Sequence, residues 1–235
     1  MAPDSRIILT RHAQAEHNVT FDWSIRDAPL TPLGIKQAAS LAPKVAHLQS
    51  EVDLLVTSPL TRTIQTTRRG WAPALHRLGL ASVILLPQAQ EVNDYPCDTG
   101  RPRAEIKGEA EFAGVDLSPL TEDWTSKRGF WADDDETVAE RARWVRRWLR
   151  ARPEKTIVLV AHGDILRRIT AGPQGPSAYG WKNAEARIFR FDPASVDTED
   201  CFLDEKGVVA ASGGYDLTST EAFLPAADAE PNGKI

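Results

Sequence analysis

Short, unbroken apolar runs alternate along the chain with stretches in which apolar residues recur every three or four positions. The runs are Arg6 to His12, which opens on Ile-Ile-Leu, then Val52 to Thr57, Val83 to Leu86, Thr156 to Ala161 and Ala186 to Phe191. Their length and their bounding turn residues predict five buried strands. Between the first two, Thr31 is placed to cap a helix with Pro32 in its first position. Ala38, Leu41, Ala42, Val45 and Leu48 then hold a helical period to about Gln49. Ser58-Pro59 starts a second helix that carries Arg62, Ile64 and Thr66. Thr137 to Arg150 and Asp164 to Ala171 complete the helical set. Strands without polar alternation, separated by helices, predict an α/β fold whose open, mostly parallel sheet is covered on both faces.

Two regions break this rhythm. Residues 91–135 form a long polar insertion, a length of irregular chain that compact domains reserve for lids and binding loops. Residues 224–235, rich in Ala, Pro, Asp and Gly, are expected to be a flexible tail. With 235 residues, the expectation is one domain over 1–235 that carries this lid. The formal charge of −5 provides no basic field, so nucleic acid is not an expected partner. No apolar run approaches the ~18 residues of a membrane span, so no membrane partner is expected either. Cys97 and Cys201 make no disulfide framework and are expected as free thiols. Met1 to Ser5 lacks the basic and apolar regions of a signal peptide, and the expected location is cytoplasmic.

Ligands of open α/β sheets collect beyond the carboxyl ends of the strands. Those ends carry Arg11-His12, then Ser58 to Arg62, then Glu91, then His162-Gly163. Each alone reads as scaffold, but jointly they place two histidines, two arginines and a carboxyl group at one sheet edge. That set suits phosphoryl transfer through a covalent histidine. A neutral imidazole is a competent nucleophile, and arginine forks grip phosphate oxygens in pairs. A carboxyl group of raised pKa can protonate the leaving oxygen and later activate water. A metal site is not expected, because two arginines would repel the ion and no HxxxH or HxH pair is present. There is also no GxGxxG or GxxxxGK phosphate loop.

The block Arg11-His12-Ala13-Gln14-Ala15-Glu16-His17-Asn18 resembles the RHG-type signature of the histidine phosphatase superfamily, the phosphoglycerate mutase-like enzymes. Leu30 to Gly34 with Gln37-Ala38, Thr57 to Thr66, and Ala161-His162-Gly163-Asp164 are similar to its following blocks, in order. Tyr95 to Gly100 (YPCDTG) is similar to a stretch common in the fungal phosphatase-like branch. The resemblance implies a three-layer α/β/α fold. It implies a cofactor-free and metal-independent enzyme with His12 as the phosphorylated nucleophile and Glu91 as the proton donor. Arg11, Asn18, Arg62, His162 and Gly163 would bind the phosphoryl group. Ala13 stands where the family usually has glycine, and the site is expected to stay intact in an α- or β-region backbone.

The expected reaction is hydrolysis of a small-molecule phosphomonoester, with a bulky organic phosphate or diphosphate among the candidates. The alternatives are mutase-type phosphoryl transfer and a non-catalytic phospho-ligand-binding protein. Residues 91–135 hold twelve acidic and five basic side chains, a poor lid for a multiply charged sugar acid. Arg101, Arg103 or Lys107 would have to turn inward to serve one. Tyr95, Phe112, Trp124, Phe130 and Trp131 either line an apolar pocket or pack the lid down. Trp144 and Trp148, four apart, are expected in core packing.

Overall fold

A computed structural model describes residues 4–210; the tail expected at 224–235 lies outside them. The elements run β1 (Arg6–Arg11), α1 (His17–Thr20), α2 (Pro32–Lys44), α3 (Ala46–Gln49), β2 (Leu54–Thr57), α4 (Thr61–Gly70), α5 (Ala72–Leu78), β3 (Ile84–Leu85), α6 (Arg103–Ile106), α7 (Asp135–Ala151), β4 (Thr156–Ala161), α8 (Gly163–Ile169), β5 (Ala186–Phe191) and β6 (Leu203–Ala210). The strands form one sheet in the order β3-β2-β4-β1-β5-β6. β1 to β4 pair in parallel, while β5 runs antiparallel to β1 and β6 antiparallel to β5.

The pleat sorts each strand between two cores. Ile7 and Leu9 of β1 face Val138, Ala142, Val145 and Leu149 of α7, whereas Ile8 faces Leu41 of α2 and Trp71. Helices therefore cover both faces, the three-layer arrangement that unbroken apolar strands require. Thr31 caps α2 as expected, its Oγ1 accepting from the Gly34 N–H at 2.9 Å. Gly34 is obligatory: a Cβ there would stand 1.9 Å from the Gln14 carbonyl oxygen.

The helix expected to run to Gln49 is in fact two. Pro43 lies inside α2 and cannot donate to the helical ladder; Val45 leaves helical geometry at φ −103°, ψ 19° before α3 begins. The sequence pattern also misses β6. Its Asp204, Glu205, Lys206 and Gly207 carry no apolar run, as suits an edge strand that must discourage pairing with other chains. Its register with β5 slips twice.

The insertion has its own small core. Ile106, Phe112, Leu120, Trp124 and Trp131 are buried together with Leu60, Ile64 and Leu85. Gly100 lies flat against Trp124, where a Cβ would meet the indole at 2.0 Å. Trp144 and Trp148 pack partly buried against the main core, as expected. Among the described residues, no helix is long and apolar enough to cross a membrane.

Candidate active site

The order β2-β4-β1 sets the carboxyl ends of three strands side by side. β1 pairs with β4 until Arg11 meets Ala161, so the residues that follow, His12 and His162, leave the sheet as neighbours. Their ring centroids are 5.2 Å apart. The His12 main chain is fixed at both ends: its N–H donates to Ala161 O at 2.9 Å, and its carbonyl accepts from Ala184 N at 3.1 Å. The ring Nδ1 lies 2.7 Å from Ala13 O. A carbonyl can only accept, so Nδ1 carries the hydrogen and Nε2 keeps its lone pair. Burial, then the Arg62 and Arg11 charges, hold the His12 pKa well below the ordinary histidine value. Ala13 is absent from the residues of positive φ, so it serves in this block as expected without glycine.

Arg62 and His162 stand behind the nucleophile. Arg62, fully buried, donates from Nε to His162 Nδ1 at 3.1 Å, from Nη1 to Cys97 O at 2.6 Å and from Nη2 to Asp98 Oδ1 at 3.1 Å. Accepting from Arg62 at Nδ1 leaves His162 its hydrogen on Nε2, 2.8 Å from Ser58 Oγ. These two residues form the back wall of a cleft of about 390 Å³ without lining it. Arg11, His12, Asn18, Glu91 and Gly163 do line it. Arg11 is anchored by a hydrogen bond from Nη1 to Trp181 O at 2.5 Å. Gly163, at the start of α8, lies against the Arg11 guanidinium: a Cβ there would stand 3.4 Å from Nε, in ordinary contact.

Glu91 reaches across from the lid boundary to the first turn of α8. Its Oε1 accepts from Ile165 N at 2.9 Å and Val92 N at 3.1 Å; Oε2 accepts from Asp164 N at 3.2 Å. Burial, followed by the Asp164 and Asp98 charges, raises its pKa to about 7 despite those donors. The side chain can thus both give and take a proton near neutrality. Its carbonyl is held by two cations: Lys127 Nζ donates to Glu91 O at 3.0 Å, and Arg141 Nη2 donates to Glu91 O at 3.3 Å and to Gln90 O at 3.1 Å. Burial lowers the Lys127 pKa to about 8 and the Arg141 pKa to about 10.

Lys127 is therefore the lid cation near the site, rather than Arg101, Arg103 or Lys107. Arg101 is held elsewhere by Asp27 at 2.9 Å, by Glu109 and by Thr61. Arg103 and Lys107 line a separate groove with Pro102 and Leu120. The expected aromatic pocket divides in the same way. Phe112, Trp124 and Trp131 are buried in the lid core and Phe130 lies edge-on to Trp131; of the five, Tyr95 alone lines the cleft.

Sequence reasoning missed His17, Trp23, Asp98 and Trp181, which also line it. His17, at the start of α1, is buried and accepts from Asn18 Nδ2 at Nε2 over 2.9 Å. Burial pushes its pKa down to about 2. His17, Cys97 and Asp98 bring possible metal-ligand atoms within 4.8 Å of one another. The donor types would suit a transition metal, but Asp98 is already paired with the Arg62 cation and accepts from Asn93. The Cys97 thiol is pushed up to about 12 by burial and Asp98. A cation does not fit there.

The sequence model of the histidine phosphatase superfamily (branch 1) matches residues 7–206. A probable phosphatase of Schizosaccharomyces pombe is 27% identical over 168 residues, covering 70% of this chain and 76% of its own. A phosphoglycerate mutase-like protein of Arabidopsis thaliana is 30% identical over 198 residues, covering 68% and 71%. Among solved structures, an Entamoeba histolytica phosphoserine phosphatase mutant in complex with phosphoserine superposes with a TM-score of 0.57 at 18% identity, over 90% of this chain and 100% of its own. A mycobacterial glucosyl-3-phosphoglycerate phosphatase does so with 0.55 at 23%, over 88% and 99%. At those identities the two structures share the fold.

Proposed function

The chain belongs to the histidine phosphatase superfamily, branch 1, and from that membership we propose that it is a phosphatase that hydrolyses small-molecule phosphomonoesters through a phosphohistidine on His12. The observation that carries this reading is the pairing, in one cleft, of an imidazole kept neutral with Nδ1 tethered and a carboxyl group that titrates at about 7. In the first step the Nε2 lone pair of His12 forms a bond to phosphorus. The bond from phosphorus to the leaving oxygen breaks, and that oxygen takes the proton of Glu91. In the second step the Glu91 carboxylate accepts a proton from water, whose oxygen attacks phosphorus and expels His12. Each step divides a harder direct hydrolysis.

Charge on the transferring oxygens is met by Arg11 and Asn18 at the cleft wall and by the N-terminal end of α8 at Gly163. Arg62 and His162 act from behind. The Arg62 charge lies close enough to be the foremost electrostatic influence on His12, and its bond to His162 fixes the tautomer that presents Nε2–H. The proposed steps use side chains of this chain alone and need no cofactor.

Hydrolysis is favoured over mutase transfer because, among the described residues, the arginine that lines the cleft beyond Arg11 is already engaged and so is not set aside for a second anionic group. Arg167, which lines it, donates to Asp164 at 3.2 Å and to Ser177 O at 2.8 Å. The test is acid-labile phosphoenzyme trapping in a single turnover. Label should appear in the wild type and vanish, together with activity, in His12→Ala. A fully active His12→Ala variant would overturn the mechanism. Retained tight binding of a phosphorylated ligand by a wild type without turnover would support the binding-protein alternative.

A further inference from the structure

Two large aromatic rings at the mouth of the cleft are left uncovered. Trp23 is 39% exposed and Tyr95 is 47% exposed, whereas Trp124 and Trp131 of the insertion are buried. They come from separate segments and lie nearly parallel, with centroids 6.1 Å apart and planes at 20°. The backbone holds them in register: Cys97 N–H donates to Trp23 O at 3.1 Å, and Asp27 N–H donates to Pro96 O at 3.2 Å. Inward, the Trp23 ring is 6.0 Å from His17, and His17 is 6.1 Å from His12. A ladder of rings therefore leads from the nucleophile to the mouth.

Two of the acidic groups that line the cleft are already paired with cations. Asp98 is paired with Arg62, and Asp164 with Arg167. Water-facing aromatic surface without a charged complement is what a stacking subsite for an uncharged ring requires. The cleft volume of about 390 Å³ admits one ring-bearing monoester.

We propose that the substrate's leaving group carries an uncharged, flat aromatic or heteroaromatic ring, which rests against Trp23 and Tyr95 while the phosphoryl group meets His12. The inference rests on the phosphatase reading given above and names the substrate class for that same cleft. A second anionic group finds no charged complement on the two rings.

The kinetic test compares kcat/KM for 2-phenylethyl phosphate and a nucleoside 5′-monophosphate with that for glycerol 3-phosphate and a hexose 6-phosphate. The ring substrates should be favoured by about tenfold, most of it in KM, since stacking of this kind contributes roughly that factor. Trp23→Leu keeps apolar bulk and removes the ring, so the preference should collapse to about one. Trp23→Phe should restore most of it. Phe130→Leu, exposed but outside the cleft, should leave the preference as it is. A wild type that favours the hexose or glycerol ester, or a preference unmoved by Trp23→Leu, would overturn the proposal. A larger gain for the nucleotide than for the phenylethyl ester would assign the ring to a base rather than a simple aryl group.

A second measurement is independent of turnover: calorimetric binding of benzylphosphonate against propylphosphonate. Tighter binding of the benzyl compound, lost in Trp23→Leu, upholds the ring subsite even if the wild type forms no phosphohistidine, a result that would remove the hydrolytic reading alone. Equal binding of the two phosphonates with normal phosphoenzyme formation would remove the ring subsite and leave the hydrolytic reading standing.

Discussion

Replacing Glu91 by Gln separates the proton chemistry of this side chain from its shape. Burial and the nearby Asp164 and Asp98 charges raise the Glu91 pKa from 4.5 to about 7. That shift corresponds to roughly 3 kcal/mol at 1.36 kcal/mol per unit. The folded pKa is raised, so the folded chain binds the proton more tightly than the unfolded one. Below pH 4.5 both states are protonated. Gln, nearly isosteric with the neutral acid, keeps the two bonds to Oε1 but cannot accept the 3.2 Å Asp164 N–H at the other position, a cost that does not depend on pH. Between pH 4.5 and 7 the unfolded chain gains by ionising, and the wild type loses stability that the Gln variant keeps. Between pH 4 and pH 8 the stability difference should therefore shift in favour of Glu91→Gln by roughly 3 kcal/mol. Paired urea titrations at pH 4 and pH 8 measure the shift. Activity should move the opposite way. Turnover of an alkyl phosphate, whose leaving oxygen must be protonated, should fall by about 10²–10⁴, while an activated aryl phosphate should lose less in the first step. A stability gap independent of pH, or undiminished alkyl phosphate turnover, would refute the assignment of Glu91 as a buried acid.

Asp98→Asn removes one of the charges that raise the Glu91 pKa, so the alkaline limb of the kcat profile should move to lower pH; a limb that stays in place would detach Asp98 from the acid. Gly34→Ala drives a Cβ to within 1.9 Å of the Gln14 carbonyl. It should destabilise the chain by about 3 kcal/mol, the upper range for overpacking, as read by thermal unfolding.

The strand core was legible because β1, β2 and β4 are buried on both faces and each carries a short unbroken apolar run, a signal that needs no partner to be read. β6 gave none, since its charges and Gly207 satisfy an edge rather than a core. α2 was predicted to run through because Val45 and Leu48 keep the helical period, although Pro43 withholds the hydrogen bond that continuity requires. At the site, His12, Glu91 and His162 could be placed from strand ends alone. What could not be seen was which way the guanidinium of Arg62 faces. Asp98 and the Cys97 carbonyl decide that, and both arrive from a loop without periodicity. His17 and Trp23 were invisible for a similar reason, since a polar loop becomes a cleft wall only after tertiary closure. That Lys127 rather than Arg101, Arg103 or Lys107 lies by Glu91 was also hidden, because the pairing of Arg101 with Asp27 and Glu109 is set by the folded insertion rather than by local charge.

The lid's separate aromatic core has an evolutionary consequence. From outside the insertion its buried cluster draws on Leu60, Ile64 and Leu85, while His12, Asn18 and His162 are seated by β1, β4 and their flanking turns. Most substitutions inside residues 91–135 are thus absorbed within one small cluster and do not reach the strand ends. Lineages can diversify the insertion, exchanging one leaving-group preference for another, while inheriting the nucleophile unchanged. Glu91, Cys97 and Asp98 are exceptions: Glu91 is bonded to the first turn of α8, and the Cys97 carbonyl and Asp98 hold the Arg62 guanidinium, so they mark points where such drift must stop.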